Sequence, residues 1–212
     1  DSYYRGENPP LGALVDYWLS EEADSGTVEV MVTDAAGSHV ATLDGPVRPG
    51  FNRVVWNLRH QTSDESGGGG FFGARLDPLV VPGTYTVSVS VGDATSAATV
   101  LVREDPRITA SATVRSAWTE TQLELAALRQ QAEDELELVR GALSDVEDDD
   151  VSDRATKLRD LERELSELSG RVRRLMGDVG GVVAPLTQDQ ASRHQFYIGM
   201  METLRTESSG VR

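Results

Sequence analysis

Residues 84–107, TYTVSVSVGDATSAATVLVREDPR, contain the transition that decides the fold of this chain. Within this stretch, residues 84–91 and 95–102 have the composition of β-strands, and Gly92-Asp93 between them is typical of a tight turn. The pattern therefore predicts a β-hairpin. Beyond Asp105-Pro106-Arg107 the sequence becomes long, charged and helical, with leucine at heptad spacing. A β half followed by a helical half is expected.

The residues before the hairpin predict further short strands separated by turns. In residues 27–33, Val28, Val30 and Val32 alternate with other residues, which is the period of a half-buried strand. Pro49-Gly50-Phe51-Asn52 is interpreted as a turn. The other predicted strands cover residues 11–19, 38–43 and 53–58. Six short strands favour an immunoglobulin-like antiparallel β-sandwich over residues 1–107, with Trp18, Trp56 and Tyr85 in its core.

Residues 108–212 predict a helical domain with helices at about 110–144, 152–179 and 187–205. The second helix has the clearest heptad seam, formed by Leu158, Leu161, Leu165, Leu168, Val172, Leu175 and Val179. Thr187 and Gln190 fit a capping box at the start of the third helix. Short connections favour an antiparallel three-helix bundle with Trp118 in its core and the Glu and Arg residues of the first helix facing water. Docking of the seam on another chain is the alternative.

Composition excludes several classes of function. The formal net charge is −15, which argues against nucleic acid and against anionic membrane surfaces as partners. The chain has no cysteine, so disulfides and thiolate chemistry are excluded. No apolar run reaches the length of about 18 residues that a membrane span needs.

Motifs for catalysis or cofactor binding are weak, and we expect neither an enzyme nor a cofactor. The only histidines are His39, His60 and His194, which fall in three different predicted elements. No Gly-x-Ser-x-Gly elbow occurs. The acidic run of Asp148, Asp149 and Asp150 is a candidate for weak calcium binding. It lacks the EF-hand pattern, so a solvated loop between helices is favoured.

Aromatic residues near glycine-rich or terminal sequence are the candidate partner contacts. Phe71 and Phe72 follow four consecutive glycines in the long loop from Gln61 to Leu79. Packing on the sandwich and contact with a partner are both open for this pair. Tyr3 and Tyr4 lie at the start of the chain. We expect these four aromatics to contact a partner, because aromatic residues dominate interface energetics.

Several segments resemble the tail that follows the β-propeller in bacterial secreted proteins with sortilin-like, or bacterial-neuraminidase-type (BNR), repeats, often described as glycosyl hydrolase-like. The resemblance covers nearly the whole chain and is strongest over residues 4–107. The segment Val81–Val87 also resembles the immunoglobulin-like domain of the flagellar hook-capping protein. The other matching segments are residues 4–13 (YRGENPPLGA), 16–19 (DYWL), 34–43, 50–59 (GFNRVVWNLR) and 105–107.

The resemblance implies an extracytoplasmic protein, either periplasmic, secreted or on the cell surface, of a Gram-negative-type bacterium. It also implies a C-terminal part of a propeller protein, or a separate subunit of a larger assembly. Any catalytic site would be expected on the propeller. The expected function is therefore a non-catalytic interaction or scaffolding module that binds a propeller domain or other subunits. A carbohydrate-binding accessory module is the alternative.

Overall fold

The computed structural model describes residues 10–20, 27–62, 77–146 and 151–211. The chain divides into two compact units, the first comprising Asp1–Gln61 and Leu79–Pro106, the second Thr62–Pro78 and Arg107–Arg212. The first unit contains β1 (Ala13–Leu19), β2 (Val28–Thr33), β3 (His39–Gly45), β4 (Gly50–Trp56), β5 (Gly83–Val91) and β6 (Ala94–Val102). The second unit contains α1 (Ala112–Ser144), α2 (Asp153–Gly180) and α3 (Gln188–Ser209).

The six strands form two antiparallel sheets. A small sheet consists of β1 paired with β4, and a larger sheet has the strand order β3-β2-β5-β6. The three helices follow all six strands in the chain. The structure therefore confirms the predicted α+β class, with a β half preceding a helical half.

Both sheets contribute side chains to one hydrophobic core. Strand β2 shows how alternation places one side of a strand in this core, because its valines are buried while Glu29 and Met31 between them are exposed. Trp56 of β4 is fully buried, its Nε1 donates to the Arg59 carbonyl oxygen at 3.1 Å, and its ring lies 5.3 Å from that of Tyr85. The buried core residues are Val30, Val32, Val40, Ala41, Val54, Trp56, Val80, Tyr85 and Val87. The core positions predicted for Trp56 and Tyr85 are confirmed.

Two sequence predictions about the small sheet are wrong. Gly50, Phe51 and Asn52 were expected in a turn, but they form the start of β4 and pair with Leu19, Trp18 and Tyr17. Gly50 enters the strand with φ +93°, a conformation that glycine adopts without steric cost. Trp18 was expected in the core, yet its side chain is 72% exposed. Successive side chains of a strand point to opposite faces, and Tyr17 takes the inward position.

Each helix of the second unit begins at a side-chain cap. The hydroxyls of Ser111, Ser152 and Thr187 accept from backbone N–H groups of the first turn of α1, α2 and α3. The predicted capping box is confirmed, since the Gln190 side chain also accepts from the Thr187 backbone N–H at 2.9 Å. Such caps satisfy backbone donors that have no partner within the helix.

The heptad seam of α2 is buried within the chain. All seven of its residues are at most 4% exposed, and α2 contacts both α1 and α3. Because the leucines are covered by the chain's own helices, the seam is not available as a docking surface for another chain. Trp118 is buried as predicted, and its Nε1 donates to the Val179 carbonyl oxygen at 2.8 Å.

Helix α1 departs from prediction in its polar residues. Arg115 and Glu135 were expected to face water, but they are 5% and 6% exposed. The Arg115 guanidinium donates to the Thr119 hydroxyl and lies 4.7 Å from the Trp118 ring centroid. This hydrogen bond and the aromatic contact lower the cost of burying the Arg115 charge. Among the described residues, none of the helices has an apolar stretch that could cross a membrane.

Candidate interaction surface

The outward side of the small sheet exposes an aromatic surface, which we name the Trp18 face. Trp18 stands opposite Phe51, Asp16 opposite Arg53, and Leu14 opposite Val55 in the β1–β4 register. Trp18, Phe51 and Leu14 are 72%, 58% and 45% exposed. Large apolar side chains that adjoin one another on a surface are more informative than scattered ones, because contiguous patches mark interaction sites.

A charged pair crosses the middle of the Trp18 face. Arg53 donates to Asp16 through two bonds, from Nε to Oδ1 at 2.6 Å and from Nη2 to Oδ2 at 2.8 Å. The Arg53 guanidinium carbon also lies 5.5 Å from the centroid of the Phe51 ring. The side-chain hydrogen bond from Arg53 lowers the pKa of Asp16 from its ordinary value. The pair thus presents a neutral, internally bonded centre flanked by aromatic side chains.

The inward side of β1 attaches the small sheet to the larger one. Ala13, Val15 and Tyr17 pack against the core. The Tyr17 hydroxyl donates to the carbonyl oxygen of Pro46, which follows β3 of the larger sheet. Burial raises the pKa of Tyr17. Because its inward residues are anchored in this way, β1 holds Leu14, Asp16 and Trp18 outward in fixed positions.

A cleft of about 1010 Å³ lies along the same strand. Its lining combines residues 14–19 of β1 and the following Ser20 with Val87, Val89 and Val91 of β5 and with residues 94–100 of β6. The valines of β5 alternate along the side of the larger sheet that faces the core. Among the described residues of this lining, Asp16 is the one charged residue, and it is already paired with Arg53. The cleft is therefore predominantly apolar and opens beside the Trp18 face.

The residues that the sequence singled out fall elsewhere. Tyr3, Tyr4, Phe71 and Phe72, the expected partner contacts, lie outside the described residues, as do Asp148, Asp149 and Asp150 of the candidate calcium site. Within the described ranges, no three His, Asp or Glu side chains group as a metal site. His39 lies within 2.8 Å of the Thr42 hydroxyl, whereas His194 is buried, with Nε2 3.9 Å from Glu124 Oε2.

Sequence reasoning missed Trp18 and Phe51 as surface residues, although a signal for both was present. Both sides of β1 carry apolar residues, so hydrophobicity alone does not orient the strand. Asp16, however, shares a side with Trp18, and Arg53 shares a side with Phe51. Since unburied charge marks the solvent side of a strand, these two residues identify the outward face.

No protein-family model matches the chain, and no curated protein matches it either.

Proposed function

We propose that this chain is a non-catalytic interaction module that binds a partner protein through the Trp18 face. The observation that carries the proposal is the exposure of Trp18 and Phe51 at directly opposed positions of a sheet. Aromatic residues supply large contact areas at a low cost in side-chain entropy and are enriched among interface hot spots. The Asp16–Arg53 pair lies between the apolar side chains and provides a fixed polar element for orientation.

The fold supporting this surface is proposed to be an immunoglobulin-like sandwich. In that scheme β1 and β4 correspond to strands B and E, and β2, β5 and β6 to strands C, F and G. A second support is Tyr85, near the start of β5, whose hydroxyl donates to the Val81 carbonyl oxygen at 2.6 Å. This bond resembles the tyrosine corner of immunoglobulin-like domains, which joins the start of strand F to the preceding connection.

The helical unit is proposed to be an antiparallel three-helix bundle with a scaffolding role. Each of its helices contacts the other two, and short connections favour antiparallel neighbours. Extracytoplasmic location and association with a propeller domain or other subunits are proposed from the resemblance to the tails of sortilin-like, BNR-repeat proteins. A module of this kind would present the Trp18 face to another part of such an assembly.

Carbohydrate binding is the second candidate function, favoured by the exposed indole of Trp18. Aromatic rings can bind the apolar faces of sugars, but sugar hydroxyls also need polar partners. Asp16, the carboxylate on the same side of β1, accepts from Arg53 through both of its oxygens. With this carboxylate already occupied, a protein partner that covers the apolar side chains fits the surface better than a glycan.

Site-specific photo-cross-linking in the native source tests the proposed function. A photoreactive residue replaces Phe51 in one variant and Leu101 in a matched control. Leu101 is also 58% exposed, but it lies on the larger sheet. We expect one discrete protein adduct from position 51, none from position 101, and loss of the adduct when Trp18→Ala is added. Absence of a position-51 adduct, or its persistence in the Trp18→Ala background, would contradict the proposal.

Quenching of Trp18 emission by soluble glycans would favour the carbohydrate candidate.

A further inference from the structure

The larger sheet has four strands, but the small sheet that faces it has only two among the described residues. The consequence is visible along β6. Ala94, Ser96 and Ala98 occupy positions opposite Val91, Val89 and Val87 of β5, so they share the core-facing side of the sheet. All three are nevertheless exposed, whereas Val87 is 3% exposed. No strand of the described residues therefore covers the inward side of β6, and the cleft occupies that place.

The cleft is bounded on its other side by the backbone of β1. This strand pairs with β4 along one edge, and no strand of the described residues pairs with its other edge. The unpaired edge of a strand presents a row of backbone N–H and C=O groups. An extended polypeptide satisfies such a row directly, as in β-strand addition.

We propose that the cleft is a strand-accepting site, which an extended segment of a partner protein enters by pairing with the free edge of β1. The inference rests on the proposed function and names the manner in which the partner would bind. The added strand would extend the small sheet to three strands. Its inward side chains would cover the exposed inner side of β6.

The lining specifies the chemistry of the incoming segment. The exposed inward positions of β6 carry only alanine and serine, so the segment needs bulky apolar side chains at alternate positions to fill the space. Its central residues should be uncharged, because Asp16, the only charged residue in the described part of the lining, already has a partner. Basic residues at its ends are favoured by the net charge of −15 on this chain.

Other occupants fit these requirements less well. A second copy would bring together two chains that each carry a net charge of −15. The sequence of residues 1–9, DSYYRGENP, lacks apolar residues at alternate positions over Arg5-Gly6-Glu7-Asn8. Residues 63–76 include four consecutive glycines, which offer no side chains to fill a cleft. A partner segment is therefore the occupant to which the proposal commits.

The first test uses a fluorescent synthetic peptide, KITITITIK, and measures its binding to the full chain by anisotropy. We expect saturable binding that Ala98→Trp weakens at least about tenfold, because the indole would fill the cleft. The matched control is Thr84→Trp, since Thr84 is exposed on the same sheet, points to its other side and does not line the cleft. Equal binding by the Ala98→Trp variant and the wild-type chain would overturn the proposal.

A second test needs no variant of the protein and separates strand pairing from simple apolar contact. Two versions of the peptide carry backbone N-methyl groups, one at all isoleucines and the other at all threonines. Amides of alternate residues in a strand point to the same edge, so in a segment that runs antiparallel to β1, as β4 does, with its isoleucines facing the cleft, only one set can pair with β1. We expect one methylated peptide to bind and the other to fail. Equal binding by both would overturn the inference.

Two further outcomes are decisive. If the peptide binds only after residues 1–9 are removed, the chain's own segment competes for the cleft and the partner proposal is wrong. If Ala98→Trp leaves the cross-link from position 51 intact and the peptide also fails to bind the wild-type chain, the strand-accepting site fails while the Trp18 face survives. Loss of the position-51 cross-link on Ala98→Trp, with normal cross-linking in Thr84→Trp, would support both proposals.

Discussion

Trp18 and Phe51 are directly opposed across the β1–β4 pair, yet their side chains are 72% and 58% exposed. Cross-strand aromatic pairs stabilise a sheet by about 0.2–1 kcal/mol relative to alanine pairs, which is small beside the stabilisation available from burying two rings. The same strands do bury aromatic side chains elsewhere, as Trp56 shows. Exposure of Trp18 and Phe51 therefore follows from strand orientation, and it leaves apolar surface available for a partner.

Trp18 should account for the solvent-accessible part of the tryptophan emission. The other two tryptophans, Trp56 and Trp118, are at most 5% exposed, so a neutral quencher such as acrylamide should reach Trp18 far more readily. We expect Trp18→Phe to remove the quenchable component and to leave the melting temperature nearly unchanged, as is usual for surface substitutions. Retention of a readily quenched component in this variant would show that Trp56 or Trp118 is accessible and would contradict the fold.

The Asp16–Arg53 pair should make a pH-dependent contribution to stability. Arg53 lowers the pKa of Asp16 in the folded chain, so the contribution is fully present above the unfolded pKa and is lost as the pH falls through the folded pKa. NMR titration of the Asp16 carboxyl carbon should give a midpoint below the ordinary aspartate value in the wild-type chain. Arg53→Gln should return the midpoint toward that value. An unchanged midpoint in this variant would mean that the pair does not persist in solution.

Gly45 and Tyr17 should be coupled energetically. A Cβ atom added at Gly45 would collide with the Tyr17 hydroxyl, which donates to Pro46. We expect Gly45→Ala to lower the free energy of unfolding by about 1–3 kcal/mol through overpacking. Tyr17→Phe removes the colliding oxygen, so the double variant should lose less stability than the sum of the two single changes. Denaturant unfolding of all four proteins measures the coupling, and strict additivity would contradict the contact.

The sequence predicted the periodic elements well because their burial pattern is periodic too. The α2 seam is an example: its leucines recur at heptad spacing and are buried by α1 and α3. The orientation of β1 was harder to predict, because both sides of the strand carry large apolar residues. Leu14 and Trp18 lie on one side, and Val15 and Tyr17 lie on the other. Asp16, which lies on the same side as Leu14 and Trp18, is the local signal that decides between these sides.

The candidate site was not predictable for a related reason. The edge of β1 and the inner side of β6, which no other described strand pairs with or covers, result from strand order, and strand order depends on contacts between residues far apart in the chain. Nothing local in residues 94–100 indicates that their inward side is exposed; the alternation of small side chains fits a covered strand equally well. The burial of polar residues in α1 was not predictable either, because the periodic pattern assigns charged residues to the solvent side by default.

We expect the buried side chain of Gln122 to lower the free energy of unfolding relative to an apolar side chain of similar size. Its side chain is 4% exposed, and Nε2 has no hydrogen-bond partner among the described residues. An unsatisfied buried donor costs about 1–3 kcal/mol, so Gln122→Leu, which is similar in size, should be neutral or more stable. Thr119→Val is the matched control on the same helix, because it removes the hydroxyl that accepts from buried Arg115 and should lower the free energy of unfolding. Thermal and denaturant unfolding distinguish the two variants, and a Gln122→Leu protein as destabilised as Thr119→Val would show that the amide is satisfied in solution.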